Sequence, residues 1–118
     1  MNHLSLVALF AGFLFVVIGL VMRFFPPRKI NWYYGYRTGT SMKNQEMWAA
    51  ANRYAAQLFW QLGLVMMVLG AITFMLPPTT FTGIYAGIFL MLLLVAVTYY
   101  LTEQHLKKHF DERGKKRE

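Results

Sequence analysis

The sequence predicts an all-α integral membrane protein with three transmembrane helices, a structured loop and a helix leading into the second span. Three observations carry that expectation. Of 118 residues, 57% are hydrophobic and 14% charged, against roughly 25% charged in an average soluble domain. Uncharged runs of bilayer-spanning length occur three times. The twelve Lys and Arg, against five Asp and Glu, all fall in the two segments that a three-span chain places on one side of the bilayer. With no cysteine, disulfides, thiolate metal sites, cysteine nucleophiles and thiol switches are excluded.

The first span is expected at 4–22. The run has no charge, and about 19 helical residues at 1.5 Å each reach roughly 28 Å, close to the hydrocarbon thickness of a bilayer. It is expected to be retained, because it lacks a basic leader and Arg23-Phe24-Phe25-Pro26-Pro27 is no small-residue cleavage site. The second span is expected at 54–76, broken only by Gln57 and Gln61 and stopped by Pro77-Pro78, which have no N–H for the helix ladder. The third is expected at 81–101. The intervening Pro77-Pro78-Thr79-Thr80 is so short that the second and third helices must be antiparallel neighbours. The chain reads as a single membrane domain, 1–118, with a loop over 23–53 and a basic tail over 102–118.

Arg23, Arg28, Lys29, Arg37, Lys43 and Arg53 lie between spans one and two, and Lys107, Lys108, Arg113, Lys115, Lys116 and Arg117 follow span three. The positive-inside rule then puts the N-terminus outside and the C-terminus in the cytoplasm. The net charge of +7 becomes a statement of orientation, with anionic lipid as the partner and no direct nucleic-acid binding. Trp32, Tyr33, Tyr34, Tyr36, Trp48, Tyr54, Tyr99 and Tyr100 cluster at the same boundary, where amphipathic rings are favoured. Gly12 with Gly19, Gly63 with Gly70, and Gly83 with Gly87 offer faces for close helix approach, within the chain or between copies.

The loop is too specific for a linker. Ser41 is expected to cap a helix that starts near Met42 and runs into span two, since 42–62 holds no Gly or Pro. On it Asn44, Trp48 and Asn52 recur at helical spacing as one stripe, and Arg53, Gln57 and Gln61 form a second. Gln57 and Gln61 are expected to face the bundle interior, because hydrocarbon offers amides no partner. They serve there as interhelical hydrogen bonds or as the lining of a small polar site with Thr98. Arg37 either supplies positive potential to an anionic group or holds the loop by bonding carbonyls or Glu46. His105 and His109 share a helix face, but two histidines are too few for a zinc site. No metal or cofactor is expected. With no acid or histidine inside a span, an enzyme is not expected either.

The segment Asn31-x-x-Tyr34-Gly35-Tyr36-Arg37-Thr38, then Ser41-Met42-x-Asn44-x-x-x-Trp48, then Ala51-Asn52, resembles the signature of the SdpI family of bacterial membrane proteins. The likeness covers most of the chain, which looks like the SdpI-YfhL module alone. Many relatives carry proline where this chain has Gly39. The resemblance implies a bacterial cytoplasmic membrane location and an immunity or signalling role. The namesake protects a producing cell from a secreted toxic peptide and recruits a transcriptional repressor to the membrane. It also implies functional roles for Asn31, Tyr34, Gly35, Tyr36, Arg37, Thr38, Ser41, Asn44, Trp48 and Asn52. The expected function is binding of a toxic peptide or lipid-derived ligand, read out by the loop. The alternatives are a small homo-oligomeric transporter or channel lined by Gln57, Gln61 and Thr98, and a membrane-embedded enzyme.

Overall fold

Three helices long and apolar enough to cross a membrane form the protein. They are α1 (His3–Phe24), α2 (Gln45–Thr73) and α3 (Phe81–His109). The computed structural model describes residues 3–75, 81–111 and 113–117; the Pro77-Pro78-Thr79-Thr80 link lies outside them. Among the described residues no strand forms; only an isolated antiparallel bridge joins Phe110 and Lys116.

Length explains the division of the molecule. At 1.5 Å per residue the 29 residues of α2 and of α3 each rise about 43 Å, more than the roughly 30 Å of bilayer hydrocarbon. The surplus turns of both helices lie at the end of the bundle that carries the 25–44 loop. Here α3 passes the expected end of the span at Leu101 and continues to His109. The two helices run antiparallel, the Tyr54 ring of α2 stacking on the His105 ring of α3 at 4.1 Å.

Small residues decide how α1 meets α2. A Cβ on Gly12 would stand 2.7 Å from the Gly63 carbonyl oxygen, and one on Gly63 would stand 2.7 Å from the Gly12 oxygen. The backbones therefore touch, as membrane helices do when packing rather than a hydrophobic drive brings them together. One turn along, Phe15 and Phe59 stack at 5.7 Å. Gly87 brings α3 against Val7 of α1. The outer faces are apolar and exposed, Phe10, Val65, Ile72, Phe89 and Leu92 among them, as lipid-facing surfaces should be.

Helix α2 begins later than expected. Asn44, not Ser41, is the N-cap, its side chain accepting a hydrogen bond from the Met47 N–H at 2.8 Å. Ser41 is unavailable for capping because its hydroxyl is held inside the preceding turn. It accepts from the Thr38 N–H at 2.9 Å and faces the Tyr36 and Thr38 carbonyls at 3.2 and 3.1 Å. The tail is folded rather than extended. Asp111 accepts from the Arg113 and Lys115 amides, and the Arg117 guanidinium donates to the Lys107 and Phe110 carbonyls.

Candidate functional site

The loop begins where two prolines end the first helix. Asn31 closes an Asx turn, its Oδ1 accepting from the Tyr33 and Tyr34 amides at 3.0 and 2.7 Å while its Nδ2 donates to the Lys29 carbonyl. Tyr34 then reaches back to donate its hydroxyl to the Phe25 carbonyl at 2.5 Å. Gly35 makes the reversal at φ 110°, and a Cβ there would meet Asn52 Oδ1 at 2.5 Å and Pro27 at 2.7 Å. Only glycine satisfies both the left-handed backbone and the close approach.

Two buried polar side chains hold this loop to the helices. Asn52 of α2 accepts from the Tyr36 N–H at 2.5 Å through Oδ1, and donates through Nδ2 to the carbonyls of Trp48 at 3.0 Å and Tyr36 at 3.3 Å. Glu103 of α3 takes the other side. One of its oxygens accepts from the Tyr36 hydroxyl at 2.6 Å and from the Thr38 hydroxyl at 2.8 Å. Tyr36 is thus gripped by backbone from α2 and by phenol from α3. Burial first, and then the neighbouring carboxylate, push the Tyr36 phenol well above its usual pKa. A buried carboxylate is tolerable only with such donors, and charged acceptors make the stronger hydrogen bonds.

Trp48 is fully buried, and its indole N–H donates to the Pro27 carbonyl. Asn44 does two jobs, capping α2 and donating to the Gly114 carbonyl at 2.8 Å. Gly114, at φ 84°, leaves room for that amide. The Asn44, Trp48, Asn52 stripe therefore faces inward as a row of anchors for tail, pre-loop and loop. Tyr36 and Trp48 are internal, whereas Trp32, Tyr33, Tyr99 and Tyr100 are exposed.

The ten motif residues form one neighbourhood, and Arg37 is the member at its surface. Its guanidinium donates to the Trp32 carbonyl, tying the exposed crest of the loop. Glu46 is exposed, and no ion pair joins it to Arg37. The expected grouping of Gln57, Gln61 and Thr98 does not form. Both glutamines are exposed on α2, while Thr98 is buried on α3 with its hydroxyl donating to the Leu94 carbonyl. The inward face of α2 is already taken by Ala51, Ala55, Ala56, Gly63 and Gly70, whose small size permits close packing. Sequence reasoning missed Glu103 as an anchor. In the sequence it stands out only as the acid nearest the end of span three, with seven residues, 104–110, before the next acid, Asp111; the partners that make it an anchor are not local.

The model of the SdpI/YfhL protein family matches residues 28–102, which include the loop from Arg28 onward and its α2 anchors. The chain belongs to that family. Consistent with this, it is 38% identical over 102 residues to the uncharacterized protein YfhL of Bacillus subtilis (strain 168), covering 84% of each chain. No solved structure matches it. The family match ends one residue before Glu103.

Proposed function

We propose that this SdpI/YfhL family member is a membrane immunity or signalling protein. In this reading it lies in the bacterial cytoplasmic membrane with its N-terminus outside and the loop and C-terminus in the cytoplasm. A toxic peptide or lipid-derived ligand engages the helices, and the loop converts that event into a changed surface for a cytoplasmic partner such as a transcriptional repressor. The supporting observation is the double grip on Tyr36, by Asn52 from α2 and Glu103 from α3. Any change in the spacing of these helices pulls on one loop residue, one position before the exposed Arg37. The orientation rests on the placement of all twelve basic residues.

The test is protection. The chain is expressed in a sensitive bacterium and challenged with secreted antimicrobial peptides, alongside Arg37→Ala and Glu103→Gln. The expected result is protection by the parent and its loss in both variants at equal membrane abundance. No protection by the parent against any peptide, or full protection by both variants, contradicts the proposal.

A further inference from the structure

Between the end of α1 and the loop-side turns of α2 lies an open cleft of about 580 Å³. Three arginines, Arg23, Arg28 and Arg53, stand around it with Gln57, Trp60 and Asn52. Among the described residues no Asp or Glu belongs to its walls. The guanidinium groups of the three arginines have no hydrogen bond or ion pair with a described residue; Arg23 lies over the Phe24 ring at 5.7 Å. The Trp60 indole, a donor only, and the Gln57 amide are likewise without a partner among the described residues. By contrast, the other exposed arginine of the loop, Arg37, is bonded to a carbonyl, and Arg117 of the tail bonds two.

The cleft is rich in unused donors. Pro26 and Pro27 in its wall contribute no backbone N–H, so donation comes from the charged and aromatic side chains. Its remaining walls, Met22, Ala49 and Ala56 among them, are apolar. Arg23 ends the uncharged run of α1, and Gln57 and Trp60 lie inside the apolar run of α2. The cleft therefore straddles the depth at which lipid phosphates give way to hydrocarbon. Guanidinium groups suit phosphate oxygens by forked donation, and their attraction is strongest where water is scarce.

We propose that this cleft is a phosphate-ester site whose occupant is the head group of one anionic phospholipid, with its chains lying against the exposed apolar faces below. The site is distinct from the Tyr36 grip, although Asn52 and Pro27 border both. It requires no toxin, repressor or transport activity.

Native mass spectrometry of the full chain in detergent, titrated with phosphatidylglycerol or phosphatidylcholine, tests it. Retention of one phosphatidylglycerol per chain is expected, about tenfold tighter than phosphatidylcholine. The combined Arg23→Gln, Arg28→Gln and Arg53→Gln variant should lose about tenfold in phosphatidylglycerol affinity, while Lys107→Gln, Lys108→Gln and Lys116→Gln, removing equal charge from α3 and the tail, should change it by less than about twofold. Ala49→Trp, which fills the cleft from an exposed position and leaves every charge in place, should weaken retention by about fivefold. Circular dichroism checks that each variant is folded.

Equal losses in the arginine and lysine variants would reduce the effect to general attraction and overturn the site, as would unchanged binding in Ala49→Trp. Inorganic phosphate and pyrophosphate form a separate arm. Failure of either to displace the lipid at millimolar concentration supports a lipid occupant. Displacement that depends on the same arginines overturns that choice of occupant in favour of a soluble phosphate ester.

Discussion

The two ends of one bundle are held together by different physics. In the apolar half, α1 and α2 meet through Gly12 and Gly63 with backbones in contact, and no polar side chain is needed. At the loop end the same α2 uses Asn52, and α3 uses Glu103, to fasten a segment that has no regular structure. Lipid is as apolar as the side chains it surrounds, so close packing must supply the cohesion there. Beyond the hydrocarbon, irregular backbone needs a partner for each buried polar group. The burial of the helices follows this division. The apolar stretch of α3 is less buried than those of α1 and α2, and α3 is tied to the loop at its polar end, through Glu103.

Asn52→Leu should break the contrast most severely. It leaves the buried Tyr36 N–H without its acceptor, and together with lost donation to two carbonyls should cost about 3 kcal/mol, measured by denaturant unfolding in micelles. Gly12→Leu forces a side chain against the Gly63 backbone and should cost about 2 kcal/mol. The two variants should separate in location: hydrogen exchange in 34–42 should accelerate in the first and stay at the parent rate in the second. A Tyr36→Phe and Glu103→Gln double-mutant cycle should show a coupling of about 1 to 2 kcal/mol.

The pH response has a defined sign. The neutral Tyr36 phenol is the donor, and its pKa in the folded protein is raised by burial and by Glu103. Its contribution is therefore complete below the unfolded tyrosine value of about 10 and is lost as pH rises through the raised value. An alkaline titration of tyrosinate absorbance should show a late step that disappears in Tyr36→Phe. Thr102→Val should have the smallest effect, and in the stabilising direction by about 0.5 kcal/mol. Its hydroxyl is buried without a hydrogen bond to any described residue, whereas Thr98, one helical turn earlier, donates to Leu94.

Spans, loop and anchor stripe were legible for local reasons. Uncharged length reports a span, and spacing along one helix puts Asn44, Trp48 and Asn52 on one face. Spacing does not say which face is inside. Gln57 and Gln61 share a stripe, yet the small residues Ala55, Ala56 and Gly63 select the inner face of α2 and turn the amides outward. Ser41 reads as a cap because its neighbours downstream favour helix, but its hydroxyl is taken by the Thr38 turn. The role of Glu103 depends on Tyr36 and Thr38, which lie far from it in sequence, so no local pattern could supply it. The cleft of Arg23, Arg28 and Arg53 likewise exists only once α1 is laid against α2.

Hydrogen exchange of the loop amides in nanodiscs tests the double grip most directly. The backbone N–H groups of Tyr34, Tyr36 and Thr38 donate to the side chains of Asn31, Asn52 and Ser41, and those of Ser41 and Met42 to the Thr38 hydroxyl and carbonyl. The predicted result is protection of this segment by about a hundredfold or more over an open chain, reduced at Tyr36 and Thr38 in Glu103→Gln. Exchange of 34–42 at open-chain rates in the parent protein would contradict it.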